Sequence, residues 1–210
     1  MIFSTYYLLR TTHLSYHLYH TDALVLGSTP AGEGSKTIAL FTRELGFLTA
    51  SAQSVREERS KLRYGLQDFS YSETTLVRGK EFWRLTRADL VENIFQELAD
   101  SKKAVRMVAR IVALLRRLLV GEEKNEPLFL AVLDGFRYVK EAKSKDSIEG
   151  VEIVLVLRIL YLLGYLAPRG EFDSFLSHAG LWDDGVISQA LLFRTLAVSE
   201  INNSLQQSQL

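Results

Sequence analysis

Cysteine is absent from the 210-residue chain. That excludes disulfides, thiolate nucleophiles, iron–sulfur clusters and cysteine zinc sites, and leaves the redox compartment open. Histidine is scarce, with four residues, so general-base chemistry has few candidates. Net charge is missing too: 25 basic residues meet 25 acidic ones. A uniformly basic coat for nucleic acid is excluded, whereas a local basic patch is not. No apolar run reaches the roughly 20 residues of a membrane span; the greasiest stretch, 151–166, is broken by Glu152 and Arg158. The N-terminus lacks signal-peptide order, because Arg10 follows the apolar Tyr6-Tyr7-Leu8-Leu9 and no small-residue cleavage site comes after it. A cytoplasmic protein is expected.

What is present divides into two textures. Gly27, Gly32, Gly34, Gly46, Gly65 and Gly79 punctuate the first part at strand-like intervals. The β-prone runs 22–26, 37–41, 47–52, 69–77 and 82–90 lie between them, which predicts a small five-stranded barrel or sandwich. In the fourth run, Phe69, Tyr71, Glu73, Thr75 and Val77 share one face, and Ser70, Ser72, Thr74 and Leu76 the other. From about Asn93 the period becomes helical. Ala104, Val108, Ile111, Leu115 and Leu118 form an apolar stripe, with Ser101 as N-cap and Gly121 as stop. Asn125 and Pro127 open a second helix, Ser147 a third that ends at Gly164, and a short helix is expected over 171–178. The last is expected over about 184–204. The chain is therefore read as α+β, with strands first and a bundle of four or five helices after them.

The chemical candidates are few. Residues 29–37 invite a phosphate-loop reading, but Ser35 and Pro30 occupy the positions where that loop needs glycine. His13, His17 and His20 have helical metal-ligand spacing, yet the tyrosines and threonine around them favour an extended chain that scatters the rings. No metal or other cofactor is expected. The carboxylate pairs Glu57-Glu58 and Asp183-Asp184 sit in loop or cap contexts, and nothing argues for an enzyme. Two basic features remain. Arg56, Arg59, Lys61 and Arg63 lie between the third and fourth strands, diluted by Glu57 and Glu58. Lys103, Arg106, Arg110 and Arg117 recur along the first long helix, beside Lys102 and Arg116. Spacing alone does not separate a binding face from a solvated one in either case.

Particular motifs add to this. Tyr19-His20-Thr21-Asp22-Ala23-Leu24-Val25-Leu26 is followed by a glycine turn ending at Lys36, then by Leu40-Phe41-Thr42-Arg43-Glu44-Leu45-Gly46. Ser60-Lys61-Leu62 and Gly65-Leu66-Gln67-Asp68-Phe69-Ser70 come next, and Leu162-Leu163-Gly164-Tyr165-Leu166-Ala167-Pro168 appears in the second part. In these the chain resembles the RecO family of bacterial recombination mediators. The resemblance implies an N-terminal five-stranded OB-fold barrel followed by an all-α helical bundle. The expected division is residues 1–18 as an extension, 19–92 as the barrel and 93–210 as the helical domain. It also implies binding of single- and double-stranded DNA, strand annealing and help in loading RecA in recombinational repair. The implied partners are RecR and the acidic C-terminal tail of single-stranded DNA-binding protein, at the bacterial nucleoid and without a membrane.

Lys36, Arg43, Arg56, Arg59 and Lys61 fall on the family's basic barrel positions, and Arg63 extends that set. Lys103, Arg106 and Arg110 are the candidates for the acidic tail. The chain departs from the family in Ser54-Val55-Arg56, in Glu57-Glu58, and in having no zinc-binding cysteines in the short stretch 169–185. The alternative is a non-catalytic adaptor of the same architecture that binds repair proteins but little DNA.

Overall fold

A computed structural model describes residues 17–141, 144–167, 170–176 and 182–207. Five strands come first: β1 (Leu18–Ala31), β2 (Ser35–Thr42), β3 (Gly46–Ala52), β4 (Ser70–Arg78) and β5 (Trp83–Asn93), with the short helix α1 (Leu62–Gly65) between β3 and β4. Seven helices follow among the described residues: α2 (Ile94–Glu97), α3 (Lys102–Leu118), α4 (Glu126–Glu141), α5 (Lys145–Leu162), α6 (Asp173–Leu176), α7 (Asp184–Leu192) and α8 (Arg194–Gln207). The architecture is α+β, as the two textures predict. His17 and His20 sit in the extended chain at the start of β1, and His13 lies outside the described residues.

The sheet order is β1-β2-β3-β5-β4, and β1 pairs with both β2 and β4, so the sheet closes on itself. The seam is β3–β5, a parallel pairing limited to Ala50↔Trp83 and Ser51↔Arg84. β1 serves two neighbours, β4 along Leu18–Leu24 and β2 along Ala23–Ala31, and bends at a bulge between Val25 and Gly27, where Gly27 takes a φ of 149° that only glycine adopts easily. Both faces of β1 are buried. Ala23 and Val25 join the core inside the sheet, whereas Leu24 and Leu26 join the core of the helices.

The polar face of β4 points inward. Ser70, Ser72 and Thr74 are buried, and each hydroxyl finds a carbonyl: Ser70 and Ser72 donate to Gly65 O at 2.9 and 2.7 Å, and Thr74 donates to Thr21 O at 2.8 Å. Satisfied hydroxyls are small enough to line a narrow interior without an unpaired polar group.

The helices start where their caps dictate. Ser101 accepts the Ala104 N–H at 3.3 Å, and Asn125 accepts that of Leu128 at 3.1 Å. Two helix boundaries differ from expectation. α5 begins at Lys145, because Ser144 is the cap and accepts the Ser147 N–H at 3.0 Å. The final helix is two, α7 and α8, with a break at Phe193, whose ring packs edge-on to Phe175 at 6.5 Å. The short helix runs only over Asp173–Leu176, and the end expected for it lies outside the described residues.

α5 is buried on nearly all sides and packs against α3, α4, α7 and α8. Its Arg158 is wholly buried, donates from Nε to Phe175 O at 2.8 Å and lies 4.5 Å from the Trp182 ring centroid. Burial pulls its pKa down to about 10.

The outer face of the sheet packs into the core of the helices. Phe41 meets Phe129 edge-on at 5.5 Å beside Leu24 and Leu26. Burying each such side chain stabilises by roughly 1.5–3 kcal/mol. Polar ties reinforce the contact. Glu92, at the end of β5, accepts from Arg137 Nε at 3.0 Å and Lys140 Nζ at 2.7 Å on α4. Glu122, between α3 and α4, accepts from Trp83 Nε1 at 2.7 Å and Arg78 Nη1 at 2.9 Å.

Candidate nucleic-acid interface

The loop between β3 and β4 is fixed at its start. Val55 is buried, and the Arg56 backbone N–H donates to Gly34 O at 3.1 Å in the β1–β2 turn. Ser54 makes the required corner at a φ of 51°. Lys36, the second residue of β2, therefore flanks the same turn as Arg56. It is half-buried, and its Nζ donates to Ser28 Oγ at 3.2 Å. Successive turns, Ser60 N–H to Glu57 O at 3.1 Å and Arg63 N–H to Ser60 O at 3.3 Å, carry Arg59, Lys61 and Arg63 along the surface. All three are exposed, as is Tyr64 at 65%.

Arg43 is placed differently. It leaves the β2–β3 turn toward α4, where Nη2 reaches Glu126 Oε1 at 2.6 Å and Nε reaches the same oxygen at 2.8 Å. Asp22 at 3.5 Å and Glu44 at 3.8 Å complete its surroundings. The hydrogen bond with Glu126 raises the Arg43 pKa, and the Glu126 carboxyl is held below its ordinary range by Arg43 and then Lys124.

Arg78, Arg87, Arg110, Lys124, Arg137, Lys140 and Arg194 are likewise engaged by carboxylates. Lys36, Arg56, Arg59, Lys61 and Arg63 make no ion pair among the described residues. Neither do Lys80 and Arg84 of the β4–β5 hairpin, which the sequence reading passed over. The register joins them to the same end of the sheet, since Lys36 lies opposite Ala52 and Arg84 opposite Ser51. Ser51, Gln53, Lys80, Arg84 and Phe82, which is 73% exposed, border a depression of about 510 Å³ there. Unpaired cations beside an exposed aromatic ring are the elements of a strand-binding surface. The sequence signal was present in Lys80-Glu81-Phe82-Trp83-Arg84, but it reads as ordinary turn punctuation.

Lys103, Arg106 and Arg110 do gather. With Ile148, Glu149 and Glu152 they line a groove of about 260 Å³ between α3 and α5. Arg110 makes two bonds of 2.5 Å to the Glu152 carboxylate, which raises the Arg110 pKa. Among the described residues no group of three or more His, Asp or Glu could hold a metal ion. None of their helices is long and apolar enough to cross a membrane.

Residues 16–94 match the family model described as Recombination protein O N terminal. The DNA repair protein RecO of Pelotomaculum thermopropionicum is 32% identical over 148 residues, covering 70% of this chain and 56% of that protein. That of Desulfitobacterium hafniense is 44% identical over 152 residues, covering 72% of this chain and 54% of the relative. That of Heliobacterium modesticaldum is 32% identical over 148 residues, covering 70% and 52%. The chain thus spans about half the length of these curated relatives. All three relatives are DNA repair proteins by name. It belongs to the RecO family.

Proposed function

We propose that the closed sheet is an OB-type barrel that binds DNA strands, and that the chain acts as a non-catalytic recombination mediator. The order β1-β2-β3-β5-β4 supports the first part, because OB folds use the face of strands 2 and 3 with the β1–β2 and β4–β5 loops. The observation that carries the reading is the separation of cations. Arg43, Arg137 and Lys140, at the joint with the helices, are neutralised by carboxylates, while Lys36, Arg56, Arg59, Lys61, Arg63, Lys80 and Arg84 are not. A phosphate backbone is the complementary ligand, with Phe82 and Tyr64 as stacking platforms.

On this reading single- and double-stranded DNA, strand annealing and RecA loading in the bacterial cytoplasm follow from family membership, with RecR as a partner. The domain division falls at residues 92–93. The α3–α5 groove receives the acidic tail of single-stranded DNA-binding protein, with Lys103, Arg106 and Arg110 facing its carboxylates and Ile148 its apolar end.

Anisotropy of a labelled single strand, titrated across salt, tests the barrel. Four phosphate contacts give a slope of log affinity against log salt of about −3, and Arg59→Ala with Lys61→Ala flattens it by about 1.4. A wild-type chain that binds no strand at low salt would leave the adaptor reading in its place.

A further inference from the structure

We infer that the outward face of α3 is a second phosphate-binding track, which takes up a nucleic-acid strand where it leaves the barrel. This rests on the DNA-binding reading above and extends it to the outward face of α3, which lies outside the barrel and shares only Arg106 with the α3–α5 groove.

α3 carries six basic residues and no acidic one in 17 residues. Lys102 and Lys103 occupy its first turn, where the positive end of the helix disfavours cations, so they are not there to stabilise the helix. On a 3.6-residue period, Lys102, Arg106, Ala109, Ala113, Arg116 and Arg117 fall within about 100° of one another. All six are exposed, opposite the buried stripe of Met107, Ile111 and Leu118. The four cations make no ion pair among the described residues, unlike Arg110 on the flank, which Glu152 holds. Lys102 to Arg116 spans about 21 Å of helix, room for several phosphates. Ala109 and Ala113 keep the middle low, so a backbone can lie close.

The track abuts the barrel at β1. Arg116 Nη1 lies 3.1 Å from where a Cβ on Gly27 would sit, so the guanidinium rests on β1. The next residue, Ser28, accepts from Lys36 Nζ at 3.2 Å and donates to Asp68 at 3.1 Å. Arg116 and Lys36 thus approach β1 at consecutive residues, from its two opposite faces. The outward face offers no apolar pocket for a peptide anchor, only alanines between charges. That favours a polyanionic strand over an acidic peptide.

The test uses the full chain with oligothymidylates of about 10 and about 30 nucleotides, the shorter within the roughly 4–16 nucleotides of one OB site. R116Q/R117Q is expected to leave the short probe unchanged. For the long one it flattens the salt slope by about 1.4, so that affinity falls about sevenfold less between about 50 and 200 mM salt. R116K/R117K keeps the charge and should restore the slope. The inference is overturned if R116Q/R117Q binds the long probe with the wild-type slope while Arg59→Ala/Lys61→Ala loses it; the barrel reading then stands alone. It is also overturned if the lysine pair fails to rescue, or if the glutamine pair weakens binding of an acidic peptide but not of the oligonucleotide. A wild-type chain that binds neither probe overturns the DNA-binding reading itself.

Discussion

Arg43 and Glu126, 83 positions apart, meet at 2.6 Å across the boundary between the sheet and the helices. The arginine comes from the β2–β3 turn and the glutamate from the first turn of α4, where a carboxylate also complements the helix dipole. A residue that the motif assigns to DNA thus serves the joint between the two halves. Both side chains are about one-third exposed, so solvent screens the pair and its contribution to stability is small. Arg43→Ala is expected to lower the melting temperature by about 2–4 °C or less. Its salt slope for single-stranded DNA should stay at the wild-type value. A flattened slope would return Arg43 to the binding surface.

Glu92 is the more deeply placed joint, with its side chain only 9% exposed. Burial opposes its ionisation, but the hydrogen bonds from Lys140 and Arg137 prevail and hold the carboxyl below its ordinary value of 4.5. A depressed acid stabilises the fold at every pH above that ordinary value, and the contribution is lost as pH falls through the depressed one. Resistance to denaturant should therefore fall below about pH 4.5 in the wild type. Glu92→Gln should cost about 1.5–3 kcal/mol at neutral pH and lose part of the acid sensitivity. Equal acid sensitivity in the two proteins would place the responsible carboxylate elsewhere.

Gly46 opens β3 at a φ of 72°, and a Cβ there would lie 2.3 Å from Glu123 O, a backbone atom that cannot swing aside. Gly46→Ala combines a strained backbone with a clash against the α3–α4 loop. It is expected to destabilise by more than about 1 kcal/mol and to loosen the Glu122 ties to Trp83 and Arg78. Faster hydrogen exchange at the β5 end of the seam would register this. Gly32, with a similar φ of 79° but open space around it, should lose less on the same substitution.

The legible parts of this chain were those with local causes. The strands between glycines, the caps Ser101 and Asn125, and the amphipathic stripe of α3 all follow from neighbouring residues. The start of α5 was misplaced because the helix is apolar nearly all round, so periodicity gave no edge and Ser144 competed with Ser147. The inward face of β4 was not readable, since Ser70, Ser72 and Thr74 look solvent-facing until Gly65 O and Thr21 O are seen to accept from them. The candidate site was legible as a set of cations but not as a sorted one. Whether a guanidinium is engaged depends on a carboxylate brought from a distant helix, as for Arg43. Lys80 and Arg84 reach the surface of Lys36 only through the β3–β5 seam, a pairing no local pattern announces.

The central claim is that the unpaired cations hold DNA and the paired ones hold the fold. Lysine acetylation mapped by mass spectrometry, with and without a saturating single-stranded oligonucleotide, tests it most directly. Lys36, Lys61, Lys80 and Lys102 should be protected by the strand. Lys124, paired with Glu126 at 3.2 Å, and Lys140, paired with Glu92 at 2.7 Å, should react alike in both samples. Protection spread evenly over all six, or confined to Lys124 and Lys140, would contradict the account.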